Sequence, residues 1–67
     1  MKNKIRHYRF LNDRMTQQQL AETVNVTRQT IIAVEKGNFN PSVKLALKIA
    51  RTLHTSIEEL FELEEKD

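Results

Sequence analysis

The chain has 67 residues with no Cys, which allows one small domain and excludes disulfides and thiolate metal sites. A domain this size buries only roughly 60% of its unfolded surface, so a partner subunit is a natural source of stability. Net charge is +2, unevenly spread. Residues 1–55 carry ten Lys/Arg against three Asp/Glu, or +7, and residues 56–67 carry one Lys against six Asp/Glu, or −5. Such a division points to an anionic partner for the basic body, or simply to a solvated surface.

Apolar runs are only a few residues long, too short to span a membrane. The basic start, MKNKIRHYRF, is not followed by an apolar signal core, so a cytoplasmic protein is expected. One Gly, one Pro and abundant Leu, Ile, Ala, Lys, Gln and Glu favour helix throughout.

The first helix is expected over about Asn3 to Asn12, with Ile5, Tyr8 and either Phe10 or Leu11 as its apolar stripe. Asp13 and Arg14 lead into a break. Thr16 is a strong N-cap with Gln19 three residues on, the pattern of a capping box, and Met15 and Leu20 are placed as a hydrophobic staple. The second helix is expected over Gln17 to Val24, with Leu20, Ala21 and Val24 inward. It ends at Asn25, the non-Gly residue most tolerant of left-handed backbone.

Thr27 caps a third helix, about Arg28 to Lys36, which stops at Gly37 and turns Ile31 and Val34 to the core. Only Asn25 and Val26 separate the second helix from the Thr27 cap, so the two helices must cross steeply. Residues 16–37 thus read as two short capped helices joined by a tight turn.

Residues 37–41 are a loop. Ser42 caps a fourth helix, about Val43 to Leu53, with Leu45, Ala46, Ile49, Ala50 and Leu53 inward and Lys44, Lys48 and Arg51 outward. Ser56 and Glu59 form a further capping-box pattern. It opens a short fifth helix that turns Ile57, Leu60 and Phe61 inward. The domain spans residues 1–61. Residues 62–67, ELEEKD, form an acidic tail, expected to be frayed or held by a partner and placed away from any duplex.

Taken together, the chain resembles the Cro/cI-type (XRE) helix-turn-helix family, in its short free-standing form. The matching pieces are T16-Q17-xx-L20-A21, V26-T27-R28-Q29-T30-I31, E35-K36-G37, N40-P41-S42, L45-A46-L47-K48-I49-A50 and I57-E58-E59-L60-F61. They cover roughly residues 5–61, in order. There are two departures. Asn25 stands where the family usually has Gly, and the segment between Arg9 and Thr16 is one residue longer, which leaves open whether Phe10 or Leu11 is buried.

The resemblance implies an all-α, five-helix fold and a regulator that sets its third helix in the major groove of double-stranded DNA. Arg28 and Gln29 open that helix. Arg suits guanine O6/N7 and Gln suits adenine N6/N7. Arg in a first turn is disfavoured by the helix dipole, so a purely local reason for Arg28 is weak. Ile32 and Ala33 follow on the outer face, where thymine methyl contact and packing against neighbouring side chains are both open. Gln17 resembles the family residue that reaches a phosphate at a helix N-terminus. Thr27 and Thr30 offer hydroxyls, although capping is the main role expected of Thr27. Lys36, Asn38 and Asn40 lie where relatives touch the backbone, contacts that position rather than specify. Arg6 and Lys44 are weaker phosphate candidates.

By the same resemblance, Arg9 pairs with Glu35 and locks the first helix against the third. Leu60, Phe61 and Leu63 are candidates for a dimer interface, since relatives dimerise through the fifth helix or tail; Phe61 also fits the monomer core. A two-fold dimer reads a palindromic operator, and repression by occupancy is expected, since no separate domain exists to contact polymerase. Two alternatives stand beside this reading: an antitoxin-like protein whose DNA binding is autoregulatory, and a helical module that binds only protein. His7 and His54 are far apart in sequence and have no ligand cluster around them. No metal, cofactor or catalytic constellation is expected, and Ser42 and Ser56 are explained as caps.

Overall fold

The computed structural model describes residues 1–66. Seven elements follow in order: β1 (Lys2–Asn3), α1 (Ile5–Leu11), α2 (Gln17–Val24), α3 (Arg28–Glu35), α4 (Val43–Thr52), α5 (Ile57–Leu60) and β2 (Phe61–Glu62). The five helices enclose a core of Ile5, Leu20, Ala21, Val24, Ile31, Val34, Ile49, Ala50, Leu53 and Leu60. Every helix contributes to it, so none is an appendage.

The helix starts follow from side-chain chemistry. Thr16 Oγ1 accepts from the Gln19 backbone N–H at 3.0 Å, and Gln19 Oε1 accepts in return from the Thr16 N–H at 2.9 Å. Thr27, Ser42 and Ser56 cap α3, α4 and α5 by accepting from Thr30, Leu45 and Glu59 N–H respectively. At Ser56 only this one arm of the expected box forms. These bonds satisfy donors that a helix N-terminus leaves free.

The helix ends share one device. Asn25, Gly37 and His54 each adopt positive φ just after α2, α3 and α4. The next residue then reaches back: Val26 N–H to Ala21 O, Asn38 N–H to Ala33 O and Thr55 N–H to Ala50 O. Each bond closes orphan carbonyls in a Schellman-type turn.

Helix α1 differs from the sequence expectation. Phe10 and Leu11 are each 60% exposed, so neither is the buried one. Ile5 and Tyr8 do face the core, but the inner row then continues through Arg9 and Asn12. That row has spacing 5, 8, 9, 12, a regular helix face whose second half is polar. Asn12 Nδ2 donates to Tyr8 O at 2.8 Å and to Leu53 O at 3.1 Å, tying α1 to the end of α4. Asp13 and Arg14 both take positive φ, which absorbs the long connection into α2.

The chain ends also depart from expectation. β1 and β2 pair antiparallel, Lys2 opposite Glu62 and Asn3 opposite Phe61. The tail therefore is not frayed at its start. Asn3 carries the clasp inward, since its Nδ2 donates to Val34 O at 2.8 Å and Glu35 O at 3.3 Å, carbonyls at the end of α3. Asp67, the last residue of the expected tail, lies outside the described residues. Among the described residues no helix is long and apolar enough to cross a membrane.

Candidate nucleic-acid interface

Helix α3 is held from both ends, and its start faces solvent. Thr27, Arg28 and Gln29 are exposed, while Ile31 and Val34 are buried behind them. The Thr27 and Thr30 hydroxyls lie 3.1 Å apart, so Thr27 divides its bonding between the cap and Thr30. Ile32 and Ala33 are half-buried rather than fully outward.

A polar chain connects this exposed start to the protein interior. Arg28 Nε donates to Gln17 Oε1 at 3.4 Å, and Gln17 Nε2 donates to Glu35 Oε1 at 3.3 Å. Glu35 is in turn gripped by Arg9, with Nε to Oε2 at 2.7 Å and Nη2 to Oε1 at 3.2 Å. Arg9 Nη1 also donates to Met15 O at 2.8 Å, just before the Thr16 cap. This two-pronged grip fixes the guanidinium plane as a single ammonium bond does not. Arg9 and Glu35 side chains keep only 14% and 11% of their exposure. Gln17 is thus a bridge between α2 and α3 as well as a residue at a helix N-terminus.

The groove beside this chain is lined by Arg6 and Arg9 of α1, Arg14 of the α1–α2 connection, Arg28 at the start of α3 and Lys36 at its end. Glu35 is the only carboxylate among its lining residues, and Arg9 neutralises it. Ile32 supplies apolar wall in the same groove. A concave surface with this charge concentrates a polyanion. Arg14 and Gln18 belong to it and were not singled out from sequence; the consecutive left-handed residues that place Arg14 leave no periodic signal.

A second hollow adjoins the first and shares Asn3, Glu35 and Lys36 with it. Gly37, Asn38, Asn40, Met1 and Glu64 also line it. Glu64 of the acidic tail lines this hollow together with Lys36, Asn38 and Asn40, and the Met1 ammonium is 3.9 Å from its Oε1. The ribbon brings it there, because pairing through Glu62 and the Asn3 anchor direct the following residues toward the end of α3.

The expected dimer residues also separate. Leu60 is fully buried in the monomer core, so its side chain has no surface to offer a second copy. Phe61 is half-buried against the core and pairs with Asn3, while Leu63 is exposed. Lys44 lines a different groove, between α4 and α5. Among the described residues no group of His, Asp and Glu is placed to hold a metal ion.

The arrangement of α2 and α3 decides the family: two capped helices joined at a left-handed Asn25, the second presenting its first turn to solvent. A family model described as helix-turn-helix matches residues 11–60. The chain belongs to the Cro/cI-type helix-turn-helix family of transcriptional regulators. It is 49% identical over its full length to an HTH-type transcriptional regulator of Methanocaldococcus jannaschii, all of which it covers. It is 46% identical to the HTH-type regulator YgzD of Bacillus subtilis, again over the whole of both chains. The crystal structure of the clp gene regulator ClgR from Corynebacterium glutamicum superposes with a TM-score of 0.72 at 24% identity, covering 81% of this chain and 56% of that one. That similarity is one of fold. The relatives are regulators by name, and the family is not one of enzymes.

Proposed function

We propose that this helix-turn-helix protein is a cytoplasmic, sequence-specific regulator that binds a palindromic double-stranded operator as a homodimer and represses by occupancy. The carrying observation is the exposed Arg28-Gln29 pair at the start of α3, with Arg28 steadied by Gln17 above a basic groove. An Arg held by a neighbour loses less rotamer freedom on meeting a base than a free one.

In this reading α3 enters the major groove. Arg28 and Gln29 read purine edges, and Ile32 and Ala33 meet a thymine methyl. Gln17, Thr27 and Thr30 contact phosphate on one side, and Lys36, Asn38 and Asn40 on the other. Two copies set α3 and its mate about one DNA turn, ~34 Å, apart.

A salt titration tests the DNA-binding step. The logarithm of affinity for duplex DNA should fall linearly with the logarithm of salt, with a slope near −0.9 per phosphate neutralised. An affinity indifferent to salt would remove the reading and leave a protein-binding module.

A further inference from the structure

The connection from α1 into α2 sets an arginine against an aromatic ring that the core does not use. Phe10 is 60% exposed near the end of α1, and the Arg14 guanidinium sits 5.6 Å from its ring centre. That distance is within cation–π range. The same helix end is closed by Arg14 N–H to Phe10 O at 3.1 Å and Met15 N–H to Arg9 O at 2.9 Å. Closing it puts Arg14 in the left-handed region, with φ of 55°. At the ends of α2 and α3 that conformation falls to Asn25 and Gly37, which adopt it at lower cost. An arginine at such a position calls for a reason beyond the turn.

The basic groove supplies one. Arg14 lines it beside Thr16, Gln17 and Gln18, whereas Phe10 does not line it. Other guanidinium groups there are already engaged: Arg9 with Glu35 and Met15 O, Arg28 with Gln17. Among the described residues, Arg14 makes no side-chain hydrogen bond or ion pair and touches only the Phe10 ring in a specific contact. The ring offers no lone pair, so the guanidinium keeps its N–H donors for an incoming acceptor. A phosphate oxygen suits such a donor fork.

We propose that Arg14 is a further phosphate contact of the DNA interface and that Phe10 is its positioning residue, holding the guanidinium at the groove before DNA arrives. This inference rests on the DNA-binding reading above. It accounts together for the exposed aromatic, the left-handed arginine and the unused donors. A guanidinium held against a ring loses less rotamer freedom on binding than a free one. The contact is to the DNA backbone, so it strengthens and positions without reading sequence.

Salt titrations of the full chain with a mixed-sequence duplex test the proposal, because a phosphate contact is made on any sequence. Arg14→Ala should weaken binding and lower the salt slope by about one unit. Phe10→Leu keeps the charge and removes the ring, so it should weaken binding roughly two- to five-fold with the slope unchanged. Phe10→Tyr keeps the ring and should bind within about two-fold of native. In an Arg14→Ala chain, Phe10→Leu should cost nothing further. Arg14→Gly should weaken binding while its thermal midpoint stays at or above native, which separates this role from a structural one. A slope unmoved by both Arg14→Ala and Arg14→Gly overturns the contact. An equal loss from Phe10→Leu with Arg14 present or absent overturns the positioning role. A native affinity indifferent to salt removes the DNA-binding reading itself, a result distinct from either.

Discussion

Arg9 donates through Nε to Glu35 Oε2 at 2.7 Å, and this contact joins α1 to the end of α3. It also bridges to Arg28 through Gln17. Removing one partner strands a largely buried charge. Arg9→Ala should therefore destabilise the fold by about 3 kcal/mol, at the lower end for a broken buried pair because both side chains retain some water. Urea unfolding measures this directly, and a loss under about 0.5 kcal/mol, the level of an ordinary surface ion pair, would show the contact to be superficial.

Base readout makes a different kind of prediction. Arg28→Ala and Gln29→Ala should each relax preference at particular operator positions, by about 1–3 kcal/mol of discrimination, with stability nearly unchanged. Competition binding with single-base operator variants checks this. Equal weakening on every sequence would assign both residues to the backbone instead.

Lys36 lines both the basic groove and the hollow that adjoins it. Lys36→Ala should weaken binding uniformly across sequences and lower the salt slope by about one unit. An unchanged slope would place Lys36 outside the phosphate contacts.

Gly37 is the one glycine, and its φ of +79° closes α3. A Cβ there would lie 3.2 Å from the Met1 carbonyl oxygen. Gly37→Ala should cost about 1–2 kcal/mol from the left-handed backbone alone, with some further cost from disturbing the amino-terminal strand. Thermal unfolding of the variant checks the figure, and an unchanged midpoint would contradict it.

Much of this architecture was legible because capping leaves side-chain signatures. Thr16, Thr27, Ser42 and Ser56 each sit at the helix start that their residue type announces, and Asn25 turns the corner as its tolerance of positive φ allows. The ribbon was not legible, since two-residue strands carry no alternation to read. Nor was the inner face of α1, because a hydrophobic count passes over Arg9 and Asn12, which sit inside by satisfying their polar atoms there. The sequence offers Leu60 two roles, inward on the fifth helix by its spacing and at a dimer interface by the family resemblance. In the fold it completes the core, beside a backbone bond from Lys4 N–H to its own carbonyl oxygen. His54 takes a left-handed turn that its residue type announces only weakly.

The most direct test of the account is selection of bound sites from a randomised duplex library with the full chain, read by sequencing. The account predicts enrichment of a two-fold symmetric motif whose half-sites lie about one helical turn apart, each holding a purine contact that Arg28→Ala erases. Recovery of no enriched motif, with no duplex shifted at low salt, would contradict it.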